Sequence, residues 1–139
     1  MIPSKLKATM NQLGNSKNVY QTGVKKVLTI CSAGLLRSPT AATVLHEDYG
    51  FNCRAAGSVA EYALIPITEA LVYWADELLF VSEENFSTFH NTWGEDGVAK
   101  AKIDEGAYQI LDIPDCYEWG NEELKQFIRD QYDPLKVTI

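Results

Sequence analysis

The chain of 139 residues has three cysteines, two histidines and two methionines. Cys31, Cys53 and Cys116 are odd in number and show no C-x-x-C spacing. Two histidines add little to such a set, so no metal site is expected, and reduced thiols in a reducing compartment fit better than a disulfide framework. Long apolar runs are also missing. No stretch could span a bilayer, and Met1-Ile2-Pro3-Ser4-Lys5 lacks the apolar core of a signal peptide, so the expected location is cytoplasmic, with no membrane partner. Basic residues are in the minority, 12 Lys and Arg against 19 Asp and Glu, which gives a formal net charge of −7. That balance argues against nucleic acid as a partner, because backbone binding needs a basic surface. It also repels phosphorylated ligands at long range, so any anion site must be local.

What remains is ordinary for one globular domain: 46% hydrophobic and 22% charged residues, in a chain long enough for its own core. Residues 1–24 are polar and weakly patterned. They read as an N-terminal extension, either one short docking helix on Leu6, Met10 and Leu13 or a loosely packed segment. Residues 25–139 form the domain. No internal repeat interrupts it, and no stripe on its surface indicates an oligomeric state.

The first strand is the β-branched run through Ile30. A helix follows from Ser38 to about Tyr49, with Ala41, Val44, Leu45 and Tyr49 inward and Gly50 ending it. Phe51 to Ala56 reads as the second strand. A turn at Ile65-Pro66 opens a helix through Ala75 with Ile67, Leu71 and Trp74 on its stripe. Glu77 to Val81 is a third, nearly all-apolar strand, and Ser82 caps a helix carrying Phe86 and Phe89. Asn91 to Gly106 reads as a loop broken by Gly94, Gly97 and Gly106, with local order over Val98 to Ile103. Tyr108 to Ile113 is the fourth strand, and Asn121 caps a last helix with Leu124, Phe127, Ile128 and Tyr132. This alternation predicts a three-layer α/β fold, a four-stranded parallel sheet with helices on both faces. Its ligand site belongs beyond the carboxyl ends of the strands.

Cys31 stands at such an end. Between it and Ser38-Pro39 lies a small-residue loop, Ser32-Ala33-Gly34-Leu35-Leu36, closed by Arg37. The pattern is C-x5-R-S, with Ser38 read as helix N-cap and Pro39 in the first turn. Five loop residues can wrap a tetrahedral dianion: their N–H groups take its equatorial oxygens and the Arg37 fork closes the ring. The same donors and the positive helix end stabilise a thiolate at Cys31, and the Ser38 hydroxyl can donate to it. The competing reading for Cys31 is a buried structural thiol.

With these residues in view, Val27 to Ala42 resembles the phosphate-binding loop of the low-molecular-weight protein tyrosine phosphatases, in particular their small bacterial branch. Further segments carry the resemblance across residues 25–132. Ala56-Gly57 resembles the family's Ser-Ala-Gly, Trp74-Ala75-Asp76 its Trp-Ala-Asp before the third strand, and Leu111-Asp112-Ile113-Pro114-Asp115 its late acid loop. The resemblance implies the phosphotyrosine protein phosphatase I-like fold and cofactor-free, metal-free hydrolysis of phosphomonoesters in two steps through a cysteinyl-phosphate. Protein phosphotyrosine or small aryl phosphates would be the substrates. Two positions depart from the pattern. Gly34 stands where the family carries an Asn that braces the loop, and Leu36 where several members carry a second cysteine.

A leaving phenolate or alkoxide needs a proton, and two carboxyls flank Ile113-Pro114. The family pattern favours Asp115, with Asp112 as the alternative; Cys116 replaces the proline that usually follows. Tyr117 and Trp119 are candidates for walling the pocket against an aryl group, or for packing the acid loop to the body. His46 lies too far along its helix to serve as a base, and His90 reads as solvated or packing. Asp76 reads as a structural tie between helix and strand. Two other functions stay open: an arsenate reductase on the same loop, which would need resolving cysteines, and a catalytically weak phosphate- or phosphopeptide-binding module.

Overall fold

The computed structural model describes residues 24–32, 37–59, 63, 65–95, 97–114 and 121–137. Strand β1 runs Lys26–Cys31 and leads through the loop to helix α1, Arg37–Tyr49. Next come β2 (Asn52–Gly57), α2 (Glu69–Trp74) and β3 (Glu77–Phe80). Helices α3 (Glu83–Trp93) and α4 (Gly97–Asp104) precede β4 (Tyr108–Ile110), and α5 (Glu122–Gln131) closes the order. The strands pair in the order β2-β1-β3-β4, and every pairing is parallel. The sheet is sandwiched between helices, as the alternation predicts.

Side-chain alternation along the strands decides what each face carries. Val27 and Cys31 of β1, with Leu79 of β3 and Val81 just beyond it, pack with α1 and α5 through Ala41, Leu45, Leu124 and Ile128. Leu28, Ile30, Leu78 and Phe80 point to the opposite face, against Val72 of α2, Phe89 of α3 and Ala99 of α4. Cys31 thus belongs to the α1 face and the next residue, Ser32, to the α3 face. The chain leaves β1 for β2 on one side of the sheet and returns past it to β3 on the other. The carboxyl ends of β1 and β3 therefore border the switch point at which α/β sheets bind ligands.

Several boundaries differ from the sequence reading. Helix α2 starts after Thr68, whose hydroxyl accepts from Leu71 N, because Pro66 is held in a parallel bridge to Gly57. Val72 is that helix's buried residue. Helix α3 continues to Trp93, and a separate helix, α4, occupies half of the predicted loop. Gly97 and Gly106 both have positive φ, 64° and 73°, so they are turn points bounding α4 rather than breaks within it. Strand β4 ends at Ile110, although Leu111 N and Ile113 N still donate to Phe80 O and Val81 O. Tyr49 is exposed, with its ring stacked on Phe51.

The amino end of the sheet is closed by a buried ion pair, Lys25 with Glu77. Tyr132 donates to one Glu77 oxygen at 3.0 Å and Gln109 Nε2 to the other at 2.9 Å. Gln109 also exchanges hydrogen bonds with the Asp133 backbone. A buried charge needs this degree of satisfaction. Asp76 ties the start of β3 to the start of β1, its carboxylate accepting from Lys26 N at 2.9 Å. The segment read as an N-terminal extension lies outside the described residues, apart from Val24.

Candidate functional site

Cys31 ends β1 opposite Gly57 of β2, and α1 begins six positions later with its N-terminal turn buried. Cys31 Sγ and Ser38 Oγ are 3.1 Å apart. Ser38 is not the N-cap that the Ser-Pro pair suggests. It lies inside the helix, and its hydroxyl is turned toward the thiol and, at 3.4 Å, toward Ala56 O. The hydroxyl proton thus has two destinations. It can point to Ala56 O while the thiol keeps its own proton, and to Sγ when the sulfur is a thiolate. Thr29, the polar residue within β1, holds this turn in place: its hydroxyl donates to Ser38 O at 2.7 Å and lies 3.2 Å from Arg54 O.

Arg37 is buried. Its Nη1 donates to Ile113 O at 2.9 Å, so the guanidinium at the head of α1 is tied to the segment following β4. Asp112, in that segment, is exposed in its side chain. Its backbone is clamped from both sides by Gln131, through Asp112 N to Oε1 at 2.6 Å and Nε2 to Asp112 O at 3.0 Å. The sequence candidates Cys31, Ser38, Arg37 and the Asp112 backbone are thus gathered at the carboxyl edge of the sheet. Ala33, Gly34, Leu35, Leu36, Asp115, Tyr117 and Trp119 lie outside the described residues.

Three contributors escaped the sequence reading. Besides Thr29, these are Ser58 and Asn85, which meet Ser32 across the α3 face. Asn85 Nδ2 donates to Ser32 Oγ at 3.1 Å and to Ser58 Oγ at 3.3 Å. Ser58 N donates to Cys31 O at 2.7 Å, and Val59 N to Ser32 O at 3.1 Å. Of these, Thr29 carried a legible signal, a polar residue inside a buried apolar run. Asn85 carries no such signal: a polar residue in a helix's first turn is ordinary.

The remaining candidates play other parts. His46 Nδ1 is 3.0 Å from Phe51 O, a link between α1 and the approach to β2. Cys53 is buried at the opposite end of the sheet, paired with Val27, whereas Cys31 pairs with Gly57. Four strand residues separate the two levels, about 13 Å at 3.3 Å per residue, so Cys53 cannot resolve an adduct on Cys31. Burial, with the nearby Glu77 charge as the next cause, pushes the Cys53 thiol far above its ordinary value. Among the described residues, no group of three or more His, Cys, Asp or Glu could hold a metal ion, and no helix is long and apolar enough to cross a membrane.

Chemically, the arrangement offers a sulfur nucleophile beside a proton-sharing hydroxyl in the first turn of a helix, and a buried guanidinium at the head of that helix. Such a set can hold an oxyanion and stabilise a thiolate.

No family model matches the sequence, and no curated protein matches it either. The fold does have solved counterparts. Wzb of Vibrio vulnificus, solved with benzylphosphonate, is 20% identical over 78% of this chain and 94% of its own, with a TM-score of 0.58. The tyrosine phosphatase Wzb of Escherichia coli K30, solved with phosphate, is 18% identical over 77% and 92%, at 0.55. The YwlE arginine phosphatase of Geobacillus stearothermophilus is 18% identical over 76% and 84%, at 0.52. The four-stranded parallel sheet and its helices thus have the fold of the bacterial low-molecular-weight tyrosine phosphatases.

Proposed function

We propose that the protein is a cysteine-dependent phosphatase of the low-molecular-weight type, hydrolysing phosphomonoesters without a metal ion or cofactor. Protein phosphotyrosine or small aryl phosphates are its substrate class. The observation that carries this reading is the 3.1 Å approach of Cys31 Sγ to Ser38 Oγ at the carboxyl end of β1, at the start of a helix and next to a buried arginine.

In the first step the Cys31 thiolate attacks phosphorus, a P–S bond forms, and the bond from phosphorus to the leaving oxygen breaks. N–H groups of residues 32–37 and the Arg37 guanidinium take the equatorial oxygens. Asp115, or Asp112 in its place, gives the leaving oxygen its proton and then takes one from the attacking water. Water forms the new P–O bond, the P–S bond breaks, and the sulfur leaves as a thiolate that Ser38 stabilises by donating to it. Tyr117 and Trp119 are proposed to flank an aryl group.

The two alternatives fare unequally. An arsenate reductase would need a resolving thiol: Cys53 is buried at the far end of the sheet, which leaves that role to Cys116, outside the described residues. A binding module without turnover would keep the anion loop and lose only the chemistry.

Hydrolysis of p-nitrophenyl phosphate in the presence of EDTA tests the proposal. Activity that survives the chelator and disappears in Cys31→Ser supports it. Phosphate binding with no turnover by the wild type would leave the binding module instead. Phosphotyrosine peptide against phosphoarginine, offered at equal concentration, separates the substrate classes; preference for phosphoarginine would overturn the aryl assignment.

A further inference from the structure

Asn85 is 1% exposed, and the proposed chemistry makes no direct use of it. It sits in the first turn of α3 with both Nδ2 hydrogens donated and Oδ1 accepting. Nδ2 donates to both Ser32 Oγ and Ser58 Oγ. Oδ1 accepts from Ser82 Oγ at 2.7 Å, and the same hydroxyl, as N-cap, accepts from Asn85 N. The N-cap serine and Asn85 therefore lock each other, and two arms extend from the pair toward β1 and β2.

Both arms end beside the nucleophile. Ser32 follows Cys31 directly in the chain, and Ser58 holds Cys31 O through its own N–H. Because Nδ2 is the donor in both contacts, each serine oxygen is an acceptor there and keeps its own proton to give elsewhere. Gly34 contributes no side-chain brace to the loop, whereas Asn85 reaches it from outside, at its first residue.

We propose that Asn85 is a positioning residue for the nucleophile, fixing Ser32 and the Cys31 carbonyl so that the turn out of β1 is set before a phosphate arrives. A preset turn spares ordering on binding, and it keeps the sulfur in line with phosphorus. This inference rests on the proposed function for its effect on turnover. Its effects on Cys31 reactivity and on phosphate binding stand apart from that reading.

The test uses Asn85→Leu, which keeps the volume and removes both arms, and Asn85→Asp, which keeps the shape but can only accept. Ser32→Ala and the double variant Ser32→Ala/Asn85→Leu complete the set. Three quantities are read: inorganic phosphate affinity by calorimetry, the rate of iodoacetamide alkylation at Cys31 followed by peptide mass spectrometry at fixed pH, and kcat and KM for p-nitrophenyl phosphate. Asn85→Leu and Asn85→Asp are each expected to weaken phosphate binding and slow Cys31 alkylation by about tenfold, as displacement of a positioned group does. Ser32→Ala should reproduce most of the loss, and the double variant should be no worse than Asn85→Leu, because the two residues act through one contact. Additive losses, or unchanged binding and alkylation in a folded Asn85→Asp, would overturn the proposal. Should Asn85→Leu fail to fold, Ser32→Ala and Ser58→Ala each cut one arm with Asn85 in place, and unchanged alkylation in both would overturn it equally. A wild type without turnover whose phosphate binding still depends on Asn85 would sink the phosphatase reading and leave this one standing.

Discussion

Cys31 Sγ and Ser38 Oγ stand 3.1 Å apart, seven positions from each other in the chain. The contact exists because β1 ends at the sulfur while α1 returns its first turn over the same spot, anchored by Thr29. A hydroxyl placed there acts mainly when sulfur must leave with a negative charge. Ser38→Ala is therefore expected to slow breakdown of the cysteinyl-phosphate more than its formation. Rapid-quench kinetics should show a burst of p-nitrophenol followed by a steady rate lowered about 10- to 100-fold, as loss of one donor to developing charge does. A lower rate with no burst would place the role of Ser38 in the first step instead.

Arg37 ties the head of α1 to the segment after β4, donating to Ile113 O, and in the proposed function it also closes on the anion. Lysine keeps the charge but not the planar fork that serves an oxyanion and a carbonyl together. Arg37→Lys should weaken inorganic phosphate binding by at least about tenfold, equal to about 1.4 kcal/mol. Calorimetric titration reads this directly, and unchanged affinity would remove Arg37 from the anion site.

The proton donor is decided by leaving-group dependence. Asp115→Asn is expected to cut kcat/KM for poor leaving groups by about 10²- to 10⁴-fold and to affect p-nitrophenyl phosphate far less. Asp112→Asn should do little, because what the structure fixes at Asp112 is its backbone, held by Gln131. A reversal of the two results would make Asp112 the acid.

Glu77 tests whether the two ends of the sheet are independent. Its carboxylate is the counter-charge of buried Lys25, at the end of the sheet away from Cys31. Glu77→Gln leaves Lys25 without that charge and should lower stability by about 3 kcal/mol. Urea titration measures the loss, while kcat of the folded protein should be unchanged. A parallel fall in kcat would show that the two ends are coupled.

Alkaline pH should destabilise the fold. Burial, then the Glu77 charge, raises the Cys53 thiol from an ordinary 9.0, and the same causes in the same order raise the Tyr132 phenol from 10.0. The folded chain keeps both protons where the unfolded chain has lost them, so stability is fully present below about pH 9 and falls as pH rises beyond it. Cys53 alone accounts for a slope of up to about 1.4 kcal/mol per pH unit. Urea titrations from pH 7 to pH 10.5 should show the decline, and Cys53→Ala should make it shallower; a profile flat to pH 10.5 would contradict the assignment.

The sequence by itself determined the order of the strands and of every described helix but α4, and the position of Cys31 at a strand end. The apolar runs Val27–Ile30 and Leu78–Val81 are too hydrophobic to be anything but covered on both faces, and Gly and Ser-Pro mark where the chain turns. It also placed Arg37 and Ser38 close to the cysteine, since a short loop keeps neighbours together. Helix α4 was obscured by glycines that in fact bound it, and the start of α2 by a proline held in a bridge to Gly57. Those outcomes depend on which backbone groups find partners, and local spacing does not encode that.

Only the tertiary structure decided where polar side chains point. The Ser38 hydroxyl turned from a cap to the sulfur because α1 is packed against β1 and β2 with its first turn buried. Asn85 reached Ser32 from 53 positions away because the alternation of β1 sends residue 32 to the α3 face. Long-range contacts of this kind follow from strand pairing and face assignment, which the folded sheet establishes.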